Sequence, residues 1–216
     1  MSSADGFVAA LDSPIPADEL RSQLNGAVGG VVGRSRRRRS ACGAALEDPV
    51  SESQLDLLRR HGVRPVKRRG QNFLVDGNLA RAIADHVVAL GQDVVELGAG
   101  GGALTTHLLD RGARVVAVEV DRRLCAVLQD EFATRAGFTL READLARLDW
   151  AGLLTMAGER PVMAGNLPYV LTSKVLFALA DLRERVAGGV FMVQREVADR
   201  LLARVGTRDH GILSVA

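Results

Sequence analysis

The stretch DVVELGAGGGALTTHLL (93–109) decides the fold. A short, mostly apolar run ends in glycines, and a helical pattern opens directly behind them. Gly98 and Gly100 permit a sharp strand-to-helix turn and let backbone amides approach a ligand closely. Working outward, RVVAVEV (114–120) reads as a second strand. Asp121 stands where it would cap the helix that follows, RRLCAVLQDEFATRAG. FTLREAD (138–144), PVMAGN (161–166) and GGVFMVQ (188–194) are the third, fourth and fifth strands, and SKVLFALADL (173–182) is helical. Upstream, NLARAIADHVVAL (78–90) sets Leu79, Ile83, Val87 and Leu90 on one helical face, with Asp76 or Asn78 as its cap. Strands that alternate with helices imply an α/β fold with a doubly wound, mostly parallel sheet. Such sheets bind ligands at the carboxyl ends of their strands, near the topological switch.

The chain has 216 residues, enough for one domain with an appendage. No apolar run approaches the roughly 18 residues that would span a bilayer, and the first residues lack the basic segment of a secretory signal. Cys42 and Cys125 stand far apart outside any CxxC, and the four histidines are scattered singly. A disulfide framework and a metal site are therefore not expected, and a reducing, cytoplasmic setting fits. Net charge is only +2, but basic residues cluster in RSRRRR (34–39) and RRHGVRPVKRR (59–69), the footprint of a polyanionic partner. Residues 1–50, Gly-rich in AVGGVVG and basic, read as a poorly ordered extension. Residues 51–216 read as the domain, opening on SESQLDLLRRHG, a short helix closed by Gly62.

The chemistry gathers at the strand ends. Glu119 follows the glycines by about 20 residues and fits an acceptor for the hydroxyls of an adenosine ribose. Asp144 fits an acceptor for an adenine amino group, with capping of the next segment as its plainer role. Glu96 could face a ligand's amino group. Gly98, Gly100 and Ala103 also satisfy G-x-G-x-x-A, so the motif alone does not separate NAD from S-adenosylmethionine. Three carboxylates would repel a pyrophosphate and favour S-adenosylmethionine. At the end of the fourth strand stands Asn166-Leu167-Pro168-Tyr169. The Asn166 side-chain oxygen and the Leu167 carbonyl can each accept one N–H of an exocyclic amine, aiming its lone pair outward. Pro168 fixes φ, and Tyr169 offers a face on which a base can stack.

ELGAGGG, VEVD, EAD and NLPY, in this order, together with RRGQNFLVD (68–76), resemble the bacterial ribosomal RNA adenine N6,N6-dimethyltransferase family. The resemblance covers about residues 53–216 and continues through FMVQREVADRLLA (191–203) and HGILSV (210–215). It implies a Rossmann-like S-adenosylmethionine-dependent methyltransferase that dimethylates adenines of small-subunit ribosomal RNA in the cytoplasm, without a metal or a membrane, as a monomer when full length. It also implies that Asn72 and Leu74 touch the cofactor beside Gly98, Gly100, Glu119, Asp144 and Asn166, and that Phe191 gives a second face to the target adenine. Members of the family continue past the LSV segment with further strands and a small helical RNA-binding domain. On that pattern the domain is incomplete at its C-terminal end. The expected consequences are an unpaired outer edge on the fifth strand, a tendency to aggregate and little activity. The alternatives are a large-subunit methyltransferase of the antibiotic-resistance type and a non-catalytic RNA- or promoter-binding assembly factor of the same fold.

Overall fold

A computed structural model describes residues 6–11, 54–63, 74, 76–167, 169–208 and 211. In chain order the strands are β1 (Gly6–Leu11), β2 (Asp93–Leu97), β3 (Arg114–Glu119), β4 (Phe138–Glu142), β5 (Val162–Asn166) and β6 (Gly188–Gln194). The helices are α1 (Gln54–Arg60), α2 (Gly77–Leu90), α3 (Ala103–Asp110), α4 (Arg122–Phe132), α5 (Trp150–Ala157), α6 (Tyr169–Asp181) and α7 (Arg195–Leu201). Single 3-10 turns follow β4 and α6.

The sheet runs β1-β6-β5-β2-β3-β4, and the five strands from β2 to β6 are mutually parallel. From β2 the chain winds outward through β3 and β4, then returns to the other side of β2 for β5 and β6. The switch therefore lies between β2 and β5. Helices cover both faces, so the central strands are apolar on both sides, as parallel strands must be. Val94, Ala117, Ala164 and Val190 pack on one face with Ile83 and Val87 of α2 and Leu104 and Leu108 of α3. Val95, Val118, Met163 and Phe191 pack on the other with Leu153 and Leu154 of α5 and Val175 and Leu179 of α6.

Local signals end the helices where expected. Asp76 caps α2 by accepting from the amides of Asn78 and Leu79, and Asp121 caps α4 through the amide of Arg123. The α2 face is rotated slightly from the expected one: Ala80, Ile83, Ala84 and Val87 are buried, while Leu79 and Leu90 flank them. The small alanines let the helix sit close to the sheet. Gly62 takes φ +66° behind α1, and Arg60 and His61 bond Glu131 of α4, fastening the short helix to the domain.

The fifth predicted strand differs from expectation. Its outer edge is paired: β1 runs antiparallel to β6 from Gly6↔Gln194 to Leu11↔Gly189. The unpaired edge expected from the family pattern is thus absent, and with it the physical ground for expecting aggregation through that strand. Within the segment expected to be poorly ordered, Gly6–Leu11 is a strand; the remainder of 1–50, with RSRRRR, lies outside the described residues. Replacing both Ala9 and Ala10 with proline removes at least one ladder donor, whichever of the two amides faces β6. Hydrogen exchange in β6 should then speed up by tenfold or more while β2 and β3 stay protected; unchanged β6 exchange would show that the pairing contributes nothing.

Candidate active site

The ends of β2 and β5 lie close together because Gly165 has no side chain. A Cβ there would collide with the carbonyl oxygen of Leu97. The turn after β2 is built on positive φ at Gly98 (+73°) and Gly100 (+60°), where a side chain would be strained. The amides of Gly98 and Ala99 both bond the Val118 carbonyl, which ties the turn to β3. Gly102 begins α3 at φ +83°, against the Phe132 ring, where a Cβ would not fit.

A cavity of about 250 Å³ opens over this turn. Its polar side chains are Glu96, Glu119, Asp144 and Asn166, and no lysine, arginine or histidine lines it among the described residues. Glu119, only 6% exposed, is already engaged: Oε2 accepts from the Gly100 amide at 2.9 Å, and Oε1 from the amides of Val120 and Asp121, both at 2.9 Å. Three of the carboxylate's roughly four acceptor positions are used, which leaves room for a ligand hydroxyl. Asp144 caps the 3-10 turn through Oδ1 to Ala146 N, 2.8 Å, and is exposed at the cavity wall. Capping engages one of its oxygens and leaves the other available to a ligand.

Glu96 is the most buried of the carboxyls, at 2% exposure. Thr105 Oγ1 donates to its Oε2 at 2.6 Å. Burial pushes its pKa up to about 8 against the pull of the Thr105 donors, and Glu119 adds to the rise. His107, buried on α3, is held below the usual histidine range by burial and then by Arg111, and it does not line the cavity. Cys125 donates its thiol toward the Glu119 carbonyl at 3.6 Å; burial pushes it up to about 11, so it is no thiolate nucleophile. Among the described residues no group of three or more His, Cys, Asp or Glu is placed to hold a metal, and no helix is long and apolar enough to cross a membrane.

Across the switch, Asn166 ends β5 and lines the same cavity. A Cβ built on Gly98 would stand 4.0 Å from the Asn166 carbonyl oxygen, so the two loops are in contact range. The Leu167 amide donates to the Met192 carbonyl at 3.2 Å, which fixes that peptide against β6.

The family model described as ribosomal RNA adenine dimethylase matches residues 64–216. The chain belongs to that family. A relative from Anaeromyxobacter sp. (strain K), named ribosomal RNA small subunit methyltransferase A, is 49% identical over 172 residues, covering 74% of this chain and 58% of its own. One of the same name from Moorella thermoacetica is 45% identical, covering 74% of this chain and 59% of its own. The chain thus spans somewhat more than half the length of these curated relatives. A crystal structure of a dimethyladenosine transferase from Plasmodium falciparum shares the fold, with a TM-score of 0.53 at 23% identity over 62% of this chain and 48% of that one.

Of the residues expected at the site, Leu74, Gly98, Gly100, Glu119, Asp144 and Asn166 line the cavity together. Leu167 is buried beside them in the second core. Asn72, Pro168 and the Tyr169 side chain lie outside the described residues, as does most of HGILSV. Phe191 is a correction. It is fully buried among the α5 and α6 core residues, with its ring over Gly189, and so offers no free face to an adenine. Strand alternation is the reason: side chains of successive residues point to opposite faces, and it is Met192 that reaches the cavity. Val120 and Val170 were not anticipated. They are 53% and 81% exposed, large and apolar, and both line the cavity. Their signal was positional, each standing immediately after a site residue. Gly165→Ala should lower unfolding free energy by about 1–3 kcal/mol, the usual cost of overpacking. Urea unfolding measures it, and an unchanged midpoint would show that β2 and β5 do not need their close approach.

Proposed function

We propose that the chain is the S-adenosylmethionine-binding and catalytic part of an adenine N6,N6-dimethyltransferase acting on small-subunit ribosomal RNA. One observation carries the cofactor reading: the cavity at the switch point is lined, among the described residues, by three carboxyls and no basic side chain. A dinucleotide pyrophosphate would meet uncompensated negative charge there. A nucleoside with a cationic tail would meet acceptors. The small-subunit names of the relatives favour that substrate over the large-subunit alternative.

The residues divide the work by position. Glu119 accepts a ribose hydroxyl with its remaining capacity while it holds the Gly100 amide and the end of its own strand. Asp144 accepts the adenine amine of the cofactor, and Gly98 and Gly100 bring backbone close to it; Leu74 packs on it, and Asn72 is assigned beside them by the family motif. S-adenosylmethionine supplies, when bound, a methyl group on a sulfonium that leaves as a neutral thioether. The Asn166 side-chain oxygen and the Leu167 carbonyl accept the two N–H bonds of the target amine. That draws its nitrogen toward a tetrahedral shape with the lone pair directed into the cavity. Rate then comes from positioning more than from a strong base. Pro168 fixes the turn, and Tyr169 stacks on the flipped-out adenine. The partner is ribosomal RNA of the small subunit, the compartment is the cytoplasm where subunits are assembled, and the working form is a monomer.

Glu119→Ala should weaken binding of S-adenosylhomocysteine by about 1.5–3 kcal/mol, the worth of a hydrogen bond to a charged group. That is roughly a 10- to 150-fold rise in Kd. Calorimetry that finds NAD bound more tightly than S-adenosylhomocysteine would overturn the cofactor assignment. Asn166→Ala should lower kcat for methyl transfer to unmethylated small subunits at least about tenfold while RNA affinity is kept, because the amide acts on the amine in the transition state. An equal loss through RNA binding alone would place Asn166 outside the chemistry.

A further inference from the structure

Two successive transfers to one nitrogen make a demand that a single transfer does not. In each round the amine nitrogen forms a bond to the sulfonium methyl. The sulfur–carbon bond breaks with its electrons to sulfur, and the nitrogen releases one proton to solvent. After the first round the amine carries one methyl and one hydrogen. The two acceptors assigned to it, the Asn166 side-chain oxygen and the Leu167 carbonyl, are then left with a single donor between them. For the lone pair to point into the cavity again, the methyl must stand where a hydrogen stood. An apolar surface within its reach is what would favour that pose.

One side chain of the cavity wall stands at that place. On β5, Val162 and Ala164 face α2 and α3, and period two brings Asn166 to the same side. The parallel register sets Ala164 beside Val190 and Asn166 beside Met192 on β6. Met192 is half-buried at the margin of that core and lines the cavity together with Asn166. Its carbonyl accepts from the Leu167 amide at 3.2 Å. The residue therefore adjoins both acceptors, Asn166 through the register and Leu167 through the backbone. Phe191 and Val193, its neighbours on the strand, pack into the opposite core. Val170 and Leu171 of α6 add further apolar surface to the cavity. An unbranched thioether adapts its shape readily, so one side chain can border first an N–H and then a bulkier methyl.

Resting on the proposed function, we propose that Met192 fits the site to the second transfer: its thioether end packs on the N6-methyl group left by the first. Met192 is thus a specificity-determining residue, acting on the choice between one methyl and two. A polar end at this position would offer the unmethylated amine a hydrogen-bonding partner and the methyl none. An apolar end of similar volume would keep the fit.

The test is single-turnover transfer from S-adenosylmethionine to unmethylated small subunits by the full chain. Mass spectrometry of the digested RNA counts N6-methyladenine and N6,N6-dimethyladenine over time and so separates the two rate constants. In Met192→Gln the ratio of second to first should fall at least about fourfold, the effect of one methyl-sized group on a barrier, and monomethylated product should accumulate. Met192→Leu should keep the ratio of the unaltered chain. An unchanged ratio in Met192→Gln, or an equal fall in Met192→Leu, overturns the proposal and leaves the proposed function standing. A second measurement does not depend on turnover or on the folding of Met192→Gln. The chain with isotope-labelled methionine methyls is saturated with S-adenosylhomocysteine and mixed with N6-methyladenosine. The Met192 resonance, identified by its loss in Met192→Leu, should show a nuclear Overhauser contact to the N6-methyl protons. Bound N6-methyladenosine without that contact overturns the proposal alone. N6-methyladenosine that does not bind overturns it together with the assignment of an adenine to this site.

Discussion

The closeness of β2 and β5 at their carboxyl ends is the constraint on which the rest of the site depends. The site's polar groups are carried at the ends of those two strands or their neighbours, and the loops meet because Gly165 lets backbone stand where a side chain would strike the Leu97 carbonyl. Were the strands to splay there, the turn at Gly98 and the end of β5 at Asn166 would part. The topology puts the switch at this point because β5 returns past β2 after the chain has gone out to β4. Crevice, glycine turn and amide are consequences of one winding order.

Electrostatics then decides what the crevice accepts. Glu119, almost buried, accepts hydrogen bonds from three backbone amides. Those same bonds hold the glycine turn and the start of α4 in place, so one side chain both shapes the site and faces its ligand. Among the described residues Glu96 has only Thr105 for support, it sits deeper, and burial displaces its equilibrium toward the neutral acid. Two carboxyls at neighbouring strand ends thus stand among different donors, three backbone amides at Glu119 and Thr105 at Glu96.

Much of this was legible from residue patterns. The parallel strands are buried on both faces and read as short apolar runs, while Asp76 and Asp121 stand where their side chains reach the first free amides of a helix. Glycines followed at a fixed distance by an acid placed the cavity. What was missed depends on tertiary context. GFVAAL has neither alternation nor turn signals to mark it, and it is a strand only because β6 offers an edge to pair with. Phe191 was misplaced for a different reason. A resemblance assigned the residue, but which face of a strand it occupies follows from period two, and Gly189 two residues earlier had left the space its ring fills. The rim valines carried no motif at all, and only their exposure at the cavity mouth reveals them.

The β1–β6 ladder extends the same dependence to a distant part of the chain. β6 is the strand that benefits from the six-residue antiparallel ladder. Its Met192 side chain forms part of the cavity wall, and its Met192 carbonyl holds the Leu167 amide. The backbone of β6 thus works on two sides, bonded to β1 along one edge and to β5 and the Asn166-Leu167 turn along the other. Pairing at the outer edge restrains the strand against which that turn is fixed. A strand near the start of the chain thereby contributes to the rigidity of a site built almost entirely from residues 74–192, without supplying any group to it.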